Sequence, residues 1–356
     1  MKYFSALVIL FSTSICYGFG YHDSMNNGSP LPACSPSMAA LGSCRAIGIP
    51  EPVNVFTNPA RLVLVPPSVQ VSASSVSWAE KVLENDLEKT VRTMMVLGNF
   101  SGAAVFSAAG LSFAAGYAKV AEFGYEGTHE VYDNPDLPPV GFEVLNSKGS
   151  QWEGMAGVSG RISGSLSAGF SGGFRTAEAD YEYLFNSYLI TIPDSSAVWS
   201  FDESEFAWHA GVALTGDIFN TGVSYSSGTA RMDETIAFGA SVYAAHINKI
   251  TVGFEGEIIS PADGNHFLGK LSVIMPLTNN LNALTSASFD DQRIANRAGF
   301  GFGMGFEGRV NRFLISGGIL NRFKARKNTA FPNEGAERID DSATQISFGV
   351  SYRFFE

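Results

Sequence analysis

The stretch GFGFGMGFEG at residues 299–308 decides how this chain is read, because it fits two unrelated templates. Gly303, Gly305 and Gly308 satisfy the G-x-G-x-x-G spacing of a dinucleotide loop, whereas Phe300, Phe302, Met304 and Phe306 alternate with glycine at the period of a strand. A phosphate-cradling loop needs a strand before it and a helix N-terminus after it, so that free backbone N–H groups meet the anion. Here the glycines lie inside one alternating run, and the residues from Arg309 to Arg312 read as a turn into another. The strand reading therefore wins, with phenylalanine and methionine on one face and glycine on the other. Gly169-Phe170-Ser171-Gly172-Gly173 fits G-x-S-x-G by a similar accident, since no sharp strand-to-helix elbow accompanies it.

The same alternation runs through the chain. In GSLSAGFSGGFR, residues 164–175, Leu166, Ala168, Phe170 and Phe174 oppose Ser165, Ser167, Gly169, Ser171, Gly173 and Arg175. In the last segment Ile346, Phe348, Val350, Tyr352 and Phe354 oppose Ser347, Gly349, Ser351 and Arg353. With twelve further runs between 68 and 324, the count reaches about fourteen strands, each near the 9 to 11 residues that cross a bilayer at a tilt. Tight turns near Ala109-Gly110, Ser163-Gly164, Asp217-Ile218, Ile247-Asn248, Thr278-Asn279 and Val310-Asn311 alternate with longer links at 79–93, 124–151, 178–203 and 325–341. Short turns on one rim and long loops on the other mark an outer-membrane barrel, with N- and C-termini on the periplasmic side. The sequence predicts an all-β transmembrane antiparallel barrel over residues 67–356.

Composition supports the bilayer over water. A soluble sandwich would turn its polar parity to solvent and load it with Lys, Glu, Asp and Thr. That parity is instead mostly Gly, Ser and Ala, with sparse charges at Arg161, Arg175, Glu255, Glu257, Lys270, Glu307, Arg322 and Arg353. Arg175, Glu255, Glu257, Glu307, Arg322 and Arg353 are therefore expected in the lumen, as ion pairs that hold wall and plug together. Trp78, Trp152 and Trp208 fall at expected outer strand ends, and Phe106, Phe219, Phe313 and Phe354 at inner ends, as two interfacial girdles would require. Outer-membrane lipid is the implied solvent of the bulky parity. The aromatic final strand resembles the signal read by barrel-assembly machinery, although it ends in Glu356.

Residues 1–20 have the layout of a secretory signal peptide, with Lys2 ahead of an apolar run from Phe4 to Phe11. Export makes Cys34 and Cys44 a candidate disulfide. No later apolar run reaches the roughly 18 residues of a membrane-spanning helix. A net charge of -11 argues against an electrostatic grip on nucleic acid.

Residues 21–66 break the strand rhythm: Pro30, Pro32, Pro36, Pro50, Pro52, Pro59, Pro66 and Pro67 forbid regular ladders. A segment of this length ahead of the first strand is expected to form a hatch or plug in the lumen. AIGIPEPVNVFTNPARL, with Asn58-Pro59-Ala60 just before the first strand, resembles the N-terminal region of the FadL/PorV superfamily of outer-membrane barrels. The resemblance implies fourteen strands and a lumenal hatch shaped by Asn58, Pro59 and Ala60. Arg61 stands where that family usually has glycine, and the glycine-rich motif expected upstream is reduced to Leu41-Gly42-Ser43-Cys44.

The resemblance implies hatch-gated passive uptake of hydrophobic small molecules such as fatty acids, or, in the PorV-like branch, engagement of secreted proteins at the cell surface. Two long links carry dense apolar residues that either partner would use: Tyr132, Leu137, Val140, Phe142 and Leu145 in one, Tyr183, Phe185, Tyr188, Leu189 and Trp199 among those of the other. The ligand-binding candidates are Tyr132, Leu137, Phe142, Tyr183, Phe185, Tyr188, Leu189 and Trp199. The five histidines are scattered, with no metal-ligand spacing and no nucleophile setting, so neither an enzyme, a metal site nor a cofactor is expected. His209 and His266 share the inward parity of their strands.

Overall fold

The computed structural model describes residues 29–31, 33–84, 87–92, 96–131, 137–244, 249–260, 266–294, 297–326 and 336–354. Fourteen antiparallel strands close into a barrel: β1 Ser68–Glu84, β2 Val96–Ala108, β3 Leu111–Glu122, β4 Gly141–Arg161, β5 Leu166–Ser187, β6 Ser195–Thr215, β7 Phe219–Ser226, β8 Glu234–Ala244, β9 Ile250–Ser260, β10 His266–Thr278, β11 Leu281–Ile294, β12 Arg297–Val310, β13 Phe313–Arg326 and β14 Ala336–Arg353. Each pairs with its neighbour in sequence, and β14 returns to pair with β1 from Ala336↔Glu84 to Arg353↔Ser68. Among the described residues, closure leaves no open edge in the fourteen-strand wall, which is the condition for a β structure to stand in hydrocarbon.

The opening stretch lies in β12, paired with β11 and β13. Phe300, Phe302, Met304 and Phe306 project outward and are exposed, while Gly301 and Gly303 are buried. The same holds round the barrel, where Val71, Phe174, Phe206, Val223, Phe254, Leu271 and Phe348 form an outer apolar surface. Stacked pairs stand along it: Tyr117 on Trp152 toward one end, Phe106 on Phe113 at the other and Phe170 on Trp208 between them. The described short turns are tight, and Ala109 and Gly110 both adopt positive φ, 53° and 79°, the pattern of a type I′ hairpin.

The links expected at 79–93, 124–151 and 178–203 are largely strand. Residues Ala79–Glu84 pair with Leu87–Arg92, Tyr125–Val131 pairs with Gly141–Ser147, and β5 and β6 stay paired up to Phe185↔Ser195. At 21, 22 and 21 residues, β4, β5 and β6 are about twice as long as a bilayer crossing requires.

Side-chain polarity inverts partway along these strands. The outward face of β5 reads Leu166, Ala168, Phe170, Gly172, Phe174 and then Thr176, Glu178, Asp180, Glu182; its inward face passes from Ser167, Ser171 and Arg175 to Ala177, Ala179 and Tyr181. Within hydrocarbon the apolar side faces out, and beyond it the apolar side faces in. Trp78 follows this rule rather than the girdle expected for it: it lies on the inward register of β1 and packs with Val76, Ala343 and Leu31.

Candidate functional site

Residues 33–65 pack against the small-residue faces of strands right round the barrel. Ser35 caps the short helix α1, Pro36–Ala40, by accepting from Met38 N–H, and Pro36 presets the first turn. Two 3₁₀ turns follow, Pro52–Phe56 and Pro59–Leu64. The glycines of β12 explain how α1 approaches: a Cβ on Gly303 would lie 2.6 Å from the carbonyl oxygens of Ala39 and Ala40, and one on Gly305 2.7 Å from Ala40 Cβ. The stretch that imitates a dinucleotide loop is the seat of this helix.

Asn58, Pro59 and Ala60 sit against the opposite wall. Asn58 Oδ1 accepts from Ala60 N–H and its Nδ2 donates to Ala46 O at 3.1 Å, tying the two halves of the segment together. A Cβ on Gly169 would meet Ala60 N at 2.5 Å, and one on Gly222 would meet Ala46 O at 2.5 Å. Glu51 Oε1 accepts from Ser35 Oγ and its Oε2 from Gln70 Nε2 of β1, both at 2.7 Å. Burial pushes the Glu51 carboxyl up to about 7.

The wall supplies charge at two places. Glu255 of β9 accepts from three consecutive backbone N–H groups, Arg45 at 2.7 Å, Ala46 at 2.6 Å and Ile47 at 3.1 Å. Lys270 of β10 donates to Ser43 O at 2.7 Å and pairs with Glu255 and Glu257, and Arg45 reaches Glu257 at 3.6 Å. On the other side Glu153 of β4 accepts from Arg175 Nε at 2.9 Å and contacts His209 Nε2 at 3.0 Å, while His209 Nδ1 meets Ser226 Oγ at 2.9 Å. Serine, histidine and glutamate in series have the connectivity of a hydrolase relay, but all three are buried and Arg45 Nη1 covers the serine at 3.5 Å. The arrangement positions the segment; it presents no nucleophile to a substrate. Glu307 accepts from Ser37 Oγ at 3.4 Å, Arg322 lies within the field of Glu257, and Arg353 is half-buried on β14.

Beyond the polarity inversion the inward face forms an aromatic cluster. Phe123, Tyr125, Leu145, Ala177, Ala179 and Tyr181 are buried together, with Tyr183 and Phe201 packed on them. Tyr181 stacks on Trp199 at 5.0 Å and Phe123 meets Phe201 edge-on at 5.3 Å. The Arg231 guanidinium lies 3.7 Å from the Phe201 centroid while forking onto both Glu203 oxygens at 2.8 and 3.0 Å.

Of the ligand candidates, Tyr183 and Trp199 belong to this cluster, and Tyr183 Oη also donates to Glu143 at 3.0 Å. Phe185 is half-buried on the same inward register. Phe142 faces outward and packs on Tyr188 at 5.9 Å; Leu137, Tyr188 and Leu189 are exposed. Tyr132 and the His266 side chain lie outside the described residues. Phe123, Tyr125, Phe201 and Arg231 escape a sequence reading that treats long links as loops; the signal was present in the swapped parity of 176–183.

The candidate disulfide is not formed. Cys34 and Cys44 are free, with α1 between them; the Cys44 thiol donates to Leu41 O at 3.0 Å, and the Cys34 carbonyl accepts from Ser72 Oγ and Ser101 Oγ. Burial pushes the Cys34 thiol up to about 12, so the thiolate needed for exchange is scarce.

Comparison with protein-family models and with curated protein sequences finds no match. Solved structures do match. A FadL homologue of Pseudomonas aeruginosa superposes with a TM-score of 0.66 at 10% identity, over 92% of this chain and 100% of that one. The fold is that of the FadL-type barrels. The toluene transporter TodX of Pseudomonas putida gives a TM-score of 0.62 at 13% identity over 92% and 100%, and the monoaromatic hydrocarbon channel CymD 0.61 at 11% over 92% and 99%. At such identity a FadL-type barrel fixes strand number and closure, and the side chains described above must argue the rest.

Proposed function

We propose that this chain is an outer-membrane barrel, with its termini on the periplasmic side, that passively takes up hydrophobic small molecules such as fatty acids. Residues 21–66 act as the hatch whose displacement opens the path, with Asn58, Pro59 and Ala60 shaping its bend. The observation that carries the reading is the inward aromatic face of β5 and β6 above the bilayer, built from Tyr181, Tyr183, Trp199 and Phe201. A wall that served only water and ions would turn polar groups to the axis, as these same strands do lower down. An apolar molecule captured there stands directly above the packed N-terminal segment. The likeness to TodX, a toluene transporter, and CymD, a monoaromatic hydrocarbon channel, supports the same reading.

Uptake of a fluorescent long-chain fatty acid into liposomes carrying the protein tests it. Replacing Trp199 and Phe201 together by alanine removes aromatic contacts that contribute roughly 0.5–1.5 kcal/mol each, so uptake falls about tenfold. Unchanged uptake in that variant, or no uptake by the parent protein, overturns the proposal. The PorV-like alternative, a platform for a secreted protein, draws on one feature: Tyr188, Leu189 and the fully exposed Ile190 form an apolar tip. A stoichiometric protein partner released by Ile190→Asp, with no lipid co-purifying, is the outcome that favours it.

A further inference from the structure

Above the hydrocarbon the strands end at different heights. β7 stops at Ser226, opposite His209 of β6, while β6 continues upward to Ser195. On that side the loop 227–233 follows β6 as far as Glu203, which Arg231 holds. Higher up, among the described residues, no strand pairs with this side of β6. Ser195–Ser200 are exposed on both faces, Val198 at 81%.

The ladder shows which backbone groups this edge offers. Ser227 N–H donates to Trp208 O and Trp208 N–H to Ser227 Oγ, both at 2.9 Å, so Trp208 aims its main chain away from β5. Pairing with β5 runs without a register shift from Leu166↔Leu214 to Phe185↔Ser195, and strand alternation therefore aims Ser196, Val198, Ser200 and Asp202 the same way. Their N–H and C=O groups are the template an added strand uses. Such edges are normally blunted by lysine, proline or a bulge; Ser195–Asp202 has none of these, and Val198, Trp199 and Phe201 favour strand pairing.

The side chains beside the edge define what fits it. Outward, the raised parts of β4, β5 and β6 carry Glu178, Asp180, Glu182 and Asp202 against Lys148. Inward, Trp199 and Phe201 stand at the margin of the aromatic cluster. A complementary strand places basic residues outward and apolar residues inward, at a period of two. A second copy of this chain does not fit. Two barrels in one membrane present β6 running the same way, so only parallel pairing is open to them, which sets Asp202 near Asp202 and joins two acidic faces.

We infer that the raised edge of β6, Ser195–Asp202, is a docking site for an extended segment of another protein that alternates basic and apolar residues, bound by strand addition. The site goes beyond the uptake reading and does not depend on it, because main-chain pairing at this edge needs no path through the lumen.

The test uses the full mature protein in detergent and fluorescent peptides of about ten residues: alternating lysine and valine, alternating glutamate and valine, and a lysine block joined to a valine block. The alternating lysine–valine peptide binds about tenfold or more tightly than either control. Ser200→Pro removes an N–H that the ladder to β5 does not use, so affinity falls about tenfold while the Tm stays that of the parent. Asp202→Lys weakens the lysine–valine peptide and strengthens the glutamate–valine one. Methylating the backbone nitrogens of one residue class in the peptide abolishes binding and methylating the other spares it, because a strand pairs along one edge; this decides the matter should Ser200→Pro unfold. A lysine–valine peptide that does not bind, that binds no better than the block peptide, or that binds a folded Ser200→Pro as it binds the parent overturns the site. So does a parent protein that is dimeric in detergent and becomes monomeric on Ser200→Pro. Absence of fatty-acid uptake with the peptide results intact sinks the uptake reading and leaves this site standing.

Discussion

Glu51 shows how one side chain couples the N-terminal segment to its surroundings. Its carboxyl joins Ser35 ahead of α1 to Gln70 on the wall, and its own N–H donates to Asn54 Oδ1 at 2.7 Å. A folded-state pKa of about 7 against an ordinary 4.5 means that the docked segment binds the proton more tightly than the released one. Docking is therefore strongest below about pH 4.5 and weakens as pH rises toward 7. Hydrogen exchange across residues 33–65, corrected for chemical exchange, should accelerate between about pH 4.5 and 7 and level off above, and Glu51→Gln should flatten that dependence. A flat profile in the parent protein would place the carboxyl's ionisation elsewhere. At this scale sequence reading had little purchase: Glu51 looks like a solvated charge beside two prolines, and only packing reveals that it is buried.

The polarity inversion is a property of whole strands. On β5 the outward residue Phe170 belongs to the apolar band, whereas Glu178, eight residues on, shares its register and lies beyond the band. Arginine near the bilayer midplane costs about 2–4 kcal/mol and near or beyond the interface about 0–1. Phe170→Arg should therefore lower the urea midpoint for folding into liposomes, while Glu178→Arg should leave it nearly unchanged. Equal effects would mean that the hydrocarbon boundary is not between Phe174 and Thr176. Strand existence was legible from the period of two, which a closed ladder imposes on every residue. The extent of β4, β5 and β6 was not, because their upper halves exchange the apolar face and so imitate loops when read by the rule of the lower halves.

The whole molecule depends on how firmly the N-terminal segment is held. Glu255 alone receives three backbone N–H groups from residues 45–47, and removing it strands Lys270 against Glu257 and Ser43 O. Breaking a buried pair from one side costs roughly 3–5 kcal/mol. Glu255→Ala should thus leave the barrel heat-resistant on gels but expose the bonds near Arg45 to trypsin and raise ion leakage through single barrels. Loss of the folded barrel itself would show that the network belongs to the wall rather than to a releasable segment.

The order of apolar and small residues determined by itself that this chain makes about fourteen strands with two unlike faces, because a pleated strand between hydrocarbon and an enclosed lumen leaves no other alternation. Proline placement likewise set residues 33–66 apart from the ladder, whereas Ser29 and Pro30, expected outside it, pair with Glu122 and Ala121 of β3. Tertiary structure alone decided that the glycines of 299–308 seat a helix, that Cys34 and Cys44 stay apart, and that Arg61 lies buried with Nε and Nη1 unpaired among the described residues. Those facts depend on which distant residues meet across the lumen, and contacts between Gly303 and Ala39 or Glu255 and Ala46 leave no periodic trace along the chain.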